Sequence, residues 1–252
     1  MTRYDTRTAA EAAAAQAAGA ILLLPLGAVE QHGPALPLGT DTLRAEAVAE
    51  RVAADFTDTE LLVLPALAYG VSPHHDRFPA TISLSPMLFS RLLVELATGL
   101  ADSGWRKLFI LTGHGGNNAA ISLAQQQLLA DRCQLTLAWS PITPLARDAN
   151  RAIARTEVSG HSGESETAQL LALHPDLVRA DRLEPGATTL AGLTPQARLS
   201  RTASPKLLVR FDEYADNGVL GDPRTATADD GRRVLDEATA VITAYLRDFL
   251  SL

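Results

Sequence analysis

Ile21-Leu22-Leu23-Leu24-Pro25-Leu26-Gly27-Ala28-Val29-Glu30-Gln31-His32 is the stretch that decides the fold. Its first six residues are apolar without alternation. A short run of that kind suits a strand covered on both faces, as in a parallel sheet. A glycine follows, then a carboxylate and an imidazole two residues apart. The pattern returns at Lys107-Leu108-Phe109-Ile110-Leu111-Thr112, which runs into Gly113-His114-Gly115-Gly116-Asn117. Two further strands are expected at 61–65 and 134–140. Helical periodicity is expected over 8–18, 41–55, 85–103, 117–130, 164–173 and 227–250, whereas 182–217 reads as loop-rich. Strands alternating with helices predict an α/β fold, with a mostly parallel sheet flanked by helices on both faces.

Bulk properties narrow the classes. The 252 residues are 46% apolar and 20% charged, an ordinary globular balance compatible with one domain over 1–252. The net charge of −7 argues against a nucleic-acid partner. No apolar run approaches the ~20 residues that span a bilayer. The first residues lack the apolar core of a secretory signal, so a cytoplasmic location is the default. One cysteine, Cys133, excludes an internal disulfide and a cysteine-based zinc site.

The chemistry lies in histidines and acids. Five of the six histidines, His32, His74, His75, His114 and His161, fall in or between three acid-bearing or glycine-rich clusters. Imidazole and carboxylate without thiolate suit a catalytic site for zinc, manganese or iron(II). Glu30 and His32 share one side of an extended segment and offer one ligand to each of two ions, or are a solvated acid and a capping histidine. Asp41 fits either a helix N-cap or a carboxylate bridging two cations. His114, flanked by glycines, has no local packing role. In His161-Ser162-Gly163-Glu164-Ser165-Glu166, one acid reads as a ligand and His161 as a proton donor, against a plain helix-capping arrangement. His74-His75-Asp76 reads as a polar substrate loop. Gly115, Gly116 and Asn117 open a helix whose free N–H groups suit an oxyanion. Glu30, His32 and His114 all follow strands closely, where open α/β sheets bind ligands.

Together these clusters are far more specific than any one of them. Pro25-Leu26-Gly27-Ala28-Val29-Glu30-Gln31-His32-Gly33-Pro34 with Leu36-Pro37-Leu38-Gly39-Thr40-Asp41 resembles the signature of the creatininase family of metal-dependent amidohydrolases. Phe78-Pro79-Ala80-Thr81, Gly113-His114-Gly115-Gly116-Asn117, His161-Ser162-Gly163-Glu164-Ser165-Glu166-Thr167 and Gly221-Asp222-Pro223-Arg224 match it in order along nearly the whole chain. The resemblance implies a Rossmann-like layered fold, a binuclear site and a homo-oligomer, often a hexamer. By position, Glu30, His32, Asp41 and His114 correspond to metal ligands, with Asp41 bridging. Creatininase carries Tyr and Glu directly after the histidine of its Gly-His motif, where this chain has Gly115 and Gly116. The missing fifth ligand is then Glu166 or Glu164. Glu166 is preferred, with Glu164 kept for proton transfer and His161 for handling the substrate or its proton. The stretch 145–160 lacks the tryptophans creatininase uses, which turns the expectation away from creatinine.

The resulting expectation is a hydrolase of an amide, cyclic amide or formamide C–N bond in a small molecule, other than a peptide bond. It would use water activated by two divalent ions, zinc or manganese, with iron(II) compatible. The rivals are a metal-dependent peptidase acting on a small modified peptide, and a non-catalytic small-molecule binder on the same fold.

Overall fold

A computed structural model describes residues 2–252. Four parallel strands form its sheet: β1 (Ile21–Leu26), β2 (Leu61–Val63), β3 (Lys107–Thr112) and β4 (Thr136–Pro141), in the order β2-β1-β3-β4. The helices are α1 (Ala9–Ala17), α2 (Thr40–Asp55), α3 (Pro86–Asp102), α4 (Asn118–Ala130), α5 (Arg147–Ile153), α6 (Glu164–Leu173), α7 (Pro195–Thr202) and α8 (Ala228–Leu250). The mixed α/β architecture with a parallel sheet between helices is the expected one.

The unbroken apolar run of β1 is explained by burial on both faces. Ile21 and Leu23 join Phe109 and Leu111 of β3 in a core closed by α2 and α8. Leu22, Leu24 and Leu26 join Leu108 and Ile110 in a second core, closed by α1, α3 and α4. Helix α8 feeds the first core with Val234, Leu235, Ala238, Ile242, Leu246 and Phe249, a stripe at helical spacing. Thr8 and Glu11 form a capping box that starts α1.

Some boundaries shift for local reasons. The second strand was expected to reach residue 65 but ends at Val63. Leu64 N–H donates to Leu23 O, but the next bond to β1 comes from Leu67 N–H to Pro25 O, three residues on instead of two, so the alternating ladder loses its register there. The 182–217 segment is not all loop. It holds α7, and its Leu193, Ala197 and Phe211 pack with Val158 and Leu220 into a small apolar cluster beside the cleft. Helix α5 was not expected at all. Among the described residues, no helix is long and apolar enough to cross a membrane.

The chain steps from β1 outward to β2, then returns to the opposite side of β1 for β3. The topological switch point therefore lies between the carboxyl ends of β1 and β3, where a cleft opens in such sheets.

Candidate metal centre

The first turn of α2 drops into that switch point because two glycines admit it. A Cβ on Gly27, just after β1, would stand 2.0 Å from Thr42 Oγ1, and one on Gly113, just after β3, would stand 2.2 Å from Asp41 O. With no side chain at either place, Asp41 comes to rest between the two strand ends. It does not cap its helix: Gly39 is the N-cap, without any side-chain cap bond. Its carboxylate instead faces two histidines.

Asp41 Oδ2 lies 3.1 Å from His114 Nδ1, and Asp41 Oδ1 lies 3.5 Å from His32 Nε2. Glu30 Oε1 is 3.2 Å from His114 Nδ1, and Glu166 Oε2 is 3.6 Å from His32 Nε2. Among the described residues four compact donor sets occur, and two of them, Glu30–Asp41–His114 and His32–Asp41–Glu166, share Asp41; the others are Glu30–His32–His161 and Glu30–His74–His75. The backbone orients each imidazole. His114 Nε2 donates to Val71 O at 2.9 Å, and His32 Nδ1 to Glu30 O at 3.2 Å. Each ring thus turns its other nitrogen toward the carboxylates, the arrangement by which outer hydrogen bonds aim metal-ligating histidines. Glu30 Oε2, His32 Nε2 and Asp41 Oδ2 are buried without a hydrogen-bond partner. Buried polar atoms are normally paired, so this donor set fits divalent cations.

The electrostatics agree. Burial alone would raise the Glu30 and Asp41 carboxyls. The nearby imidazoles override it, bringing Glu30 to about 2 and holding Asp41 well below the usual carboxylate range. Burial alone would likewise lower His32 and His114. Asp41, Glu166 and Glu30 override it at His32, raising it to about 9, and Glu30 and Asp41 hold His114 well above its ordinary value. The acids thus stay ionised, and the protons reside on His32 and His114, whose positive charge balances them.

The remaining residues divide. Glu166 Oε2 accepts from Ser162 N–H at 2.7 Å, while its Oε1 is 2.6 Å from Arg44 Nη1. It therefore sits in a donor set and supports the start of α6 at once. Glu164 lines the same cleft but belongs to neither set. Its Oε1 accepts from Thr156 Oγ1 at 2.9 Å, and its Oε2 is buried and unpaired. His161 Nδ1 is 3.6 Å from Glu30 Oε1, and His75 Nε2 is 3.6 Å from the same oxygen. Burial is the main cause that lowers both histidines, His75 to about 2. Gly115 and Gly116 line the cleft. Asn117 does not. It is fully buried, accepts from Val71 N–H at 2.9 Å and donates to Gly27 O at 3.0 Å, so it braces the loops rather than meeting a ligand.

Three contributors escaped the sequence reading. Arg44, 1% exposed, stands three residues after Asp41 on α2, and an arginine inside an otherwise apolar helical stripe was its signal. Gln31 lies between the candidate ligands Glu30 and His32 and contacts His75 and His161. Phe211 comes from the loop-rich segment to cover His75, with ring centroids 4.4 Å apart, and nothing local announces it. The cleft encloses about 380 Å³.

Comparison with known proteins agrees with this geometry. The family model described as Creatininase, creatinine amidohydrolase, matches residues 5–246. A mycofactocin precursor peptide peptidase of Mycobacterium tuberculosis is 38% identical over 222 residues, covering 84% of this chain and 79% of the relative. The creatinine amidohydrolase of Pseudomonas putida is 29% identical, covering 97% of this chain and 93% of the relative. A solved creatininase superposes with a TM-score of 0.82 at 28% identity, covering 99% of this chain and 98% of that one. A manganese form of creatininase superposes at 0.81 with 28% identity and the same coverage. With the family match spanning nearly the whole length and a relative well above 30% identity over most of it, this chain belongs to the creatininase family of hydrolases.

Proposed function

We propose that this chain is a metal-dependent hydrolase of an amide C–N bond. Glu30, Asp41 and His114 would hold one divalent cation, and His32, Asp41 and Glu166 a second. One observation carries the reading: the two oxygens of Asp41 are aimed at histidines of two different donor sets, 3.1 Å and 3.5 Å away. Cations bound there would polarise a carbonyl and lower the pKa of a coordinated water from 15.7 toward ~7. Zinc and manganese are the proposed ions, since relatives in this fold have been solved in Mn and Zn-Zn forms. Iron(II) suits the same donors.

The protein's own groups do the rest. His161, kept neutral by burial, turns Nδ1 toward Glu30 and Glu166, so it can take a proton from the attacking water and return it to the leaving nitrogen. Glu164, beside it in the cleft wall, is the alternative proton carrier. Gly115 and Gly116 leave their backbone open to the substrate carbonyl. No Lys or Arg lines the cleft among the described residues, which favours a neutral small substrate over a polyanion.

The expectation of a non-peptide bond is widened here. The higher identity is to a peptidase of a precursor peptide, 38%, against 29% to a creatinine amidohydrolase, which favours a peptide bond in a short modified peptide. A homo-oligomer, hexameric by family likeness, belongs to the same proposal. Met87, Leu88 and Leu129, exposed on α3 and α4, offer apolar contact surface for it.

The deciding experiment is elemental analysis of gently purified protein, followed by hydrolysis assays on amides, formamides and short peptides. Two transition-metal equivalents per chain, with chelator-sensitive release of an amine, are expected. No metal, and none taken up on adding zinc or manganese, would leave a binding protein on this fold.

A further inference from the structure

The carboxamide of Gln31 is buried, and a backbone donor sets its orientation. Gly33 N–H donates to Gln31 Oε1 at 2.8 Å. Gln31 Nε2 is therefore the atom that lies 2.9 Å from His75 Nδ1 and 3.3 Å from Gly218 O. An amide nitrogen only donates, so His75 Nδ1 accepts. A neutral His75 then carries its proton on Nε2, the nitrogen 3.6 Å from Glu30 Oε1.

His161 meets the backbone of the same residue. Its Nε2 lies 2.6 Å from Gln31 O, and a carbonyl only accepts, so the proton is on Nε2. In that state the 3.1 Å approach of Gln31 Nε2 to the same ring nitrogen is a contact between donors, not a bond. His161 Nδ1 keeps a free lone pair, 3.6 Å from Glu30 Oε1 and 3.9 Å from Glu166 Oε2. The two rings therefore hold the same tautomer but present opposite nitrogens to the cleft, with centroids 4.5 Å apart. Gly218 closes the arrangement. Its φ is +73°, and a Cβ there would stand 2.0 Å from Gln31 Oε1.

We propose that Gln31 is the positioning residue of this site: its side chain makes His75 an N–H donor toward the substrate, and its carbonyl makes His161 a proton acceptor. This inference rests on the hydrolase reading above. As the water oxygen bonds to the carbonyl carbon, its proton goes to His161 Nδ1, and the carbonyl π pair moves onto oxygen beside His75 Nε2–H. When the C–N bond breaks, that pair re-forms the carbonyl and the proton on His161 passes to the leaving nitrogen. The products are an acid and an amine, and the histidines return unchanged.

The test is a long-range ¹H–¹⁵N spectrum of ¹⁵N-histidine-labelled, zinc-supplemented protein, assigned with His75→Ala and His161→Ala. Bare Nδ1 and protonated Nε2 are expected at both rings. Gln31→Glu replaces the donor by an acceptor, so it should put a proton on His75 Nδ1 and leave His161 unchanged, since that ring bonds to the backbone. Its kcat should fall about 100-fold, within the usual range for a misplaced general acid or base, with metal content and KM retained. A protonated His75 Nδ1 in the wild type, an unmoved His75 in Gln31→Glu, or a flipped His75 with undiminished kcat would each overturn the proposal. If Gln31→Glu does not fold, Gln31→Met should give a mixture of His75 tautomers, and a single unchanged one would count against it. The spectra decide the tautomers even if no amide is ever hydrolysed, so this inference and the hydrolase reading can fail separately.

Discussion

Arg44 Nη1 stands 2.6 Å from Glu166 Oε1, joining α2 to α6 through a guanidinium that is 1% exposed. The same nitrogen is 3.5 Å from Asp41 Oδ1, and Arg44 Nε donates to Gln169 Oε1 at 3.0 Å. Arg44 thus ties down one oxygen of Glu166 and leaves Oε2 for the donor set with His32.

Arg44→Ala should therefore do two things. Removing Arg44 leaves Glu166, which is part-buried and still bonded to Ser162 N–H, without its charged partner at a cost of about 1–3 kcal/mol, which a urea melt would register. Loss of outer support should weaken metal binding about 10–100-fold, at the set containing Glu166. Competition against a zinc chelator measures this. Unchanged affinity at both sites would show that Glu166 is held without Arg44.

Asp41→Ala should remove tight binding of at least one cation, because both donor sets share that residue. Asp41→Asn keeps the shape but not the charge and should behave similarly. Two full metal equivalents in either variant would end the bridging assignment.

Gly116 permits the pose of His114. A Cβ there would stand 2.2 Å from Val71 O, 2.3 Å from His114 Nε2 and 2.8 Å from His74 Cε1. Restoring the acid that creatininase carries at this place should consequently harm the site. Gly116→Ala is expected to cost about 1–3 kcal/mol by overpacking, and Gly116→Glu to bind metal more weakly than wild type. Tighter binding in Gly116→Glu would refute this.

The metal-free protein should be most stable near pH 6.5. His32 is raised from 6.5 to about 9 by its carboxylate neighbours, which override burial, so its contribution is full below 6.5 and is lost as pH rises through 9. His75 and His74 are lowered from 6.5, chiefly by burial, to about 2 and about 4, so their contribution is present above 6.5 and is lost as pH falls toward those values. Thermal melts of chelator-treated protein across pH 4–9 would show the maximum. A Tm that climbs steadily to pH 9 would contradict it.

Much of this protein was legible in its sequence. The runs at β1 and β3 announce doubly covered strands because strand burial is written in consecutive residues. Glu30, His32 and His114 could be placed at the strand ends for the same reason: each lies only a few residues past an element whose direction is known. The close approach of Asp41 needed the fold, since it depends on two glycines from different strands making room for one helix. The resemblance already preferred Glu166 to Glu164, but the physical reason needed the fold: they lie two residues apart on α6, and only packing turns Glu166 toward His32 and Glu164 toward Thr156. Arg44 and Glu166 are 122 residues apart, and Phe211 reaches His75 from a segment with no periodicity. Local periodicity follows from backbone geometry and can be read along the chain. The pairing of buried charges follows from which groups are desolvated together, and only the tertiary structure decides that.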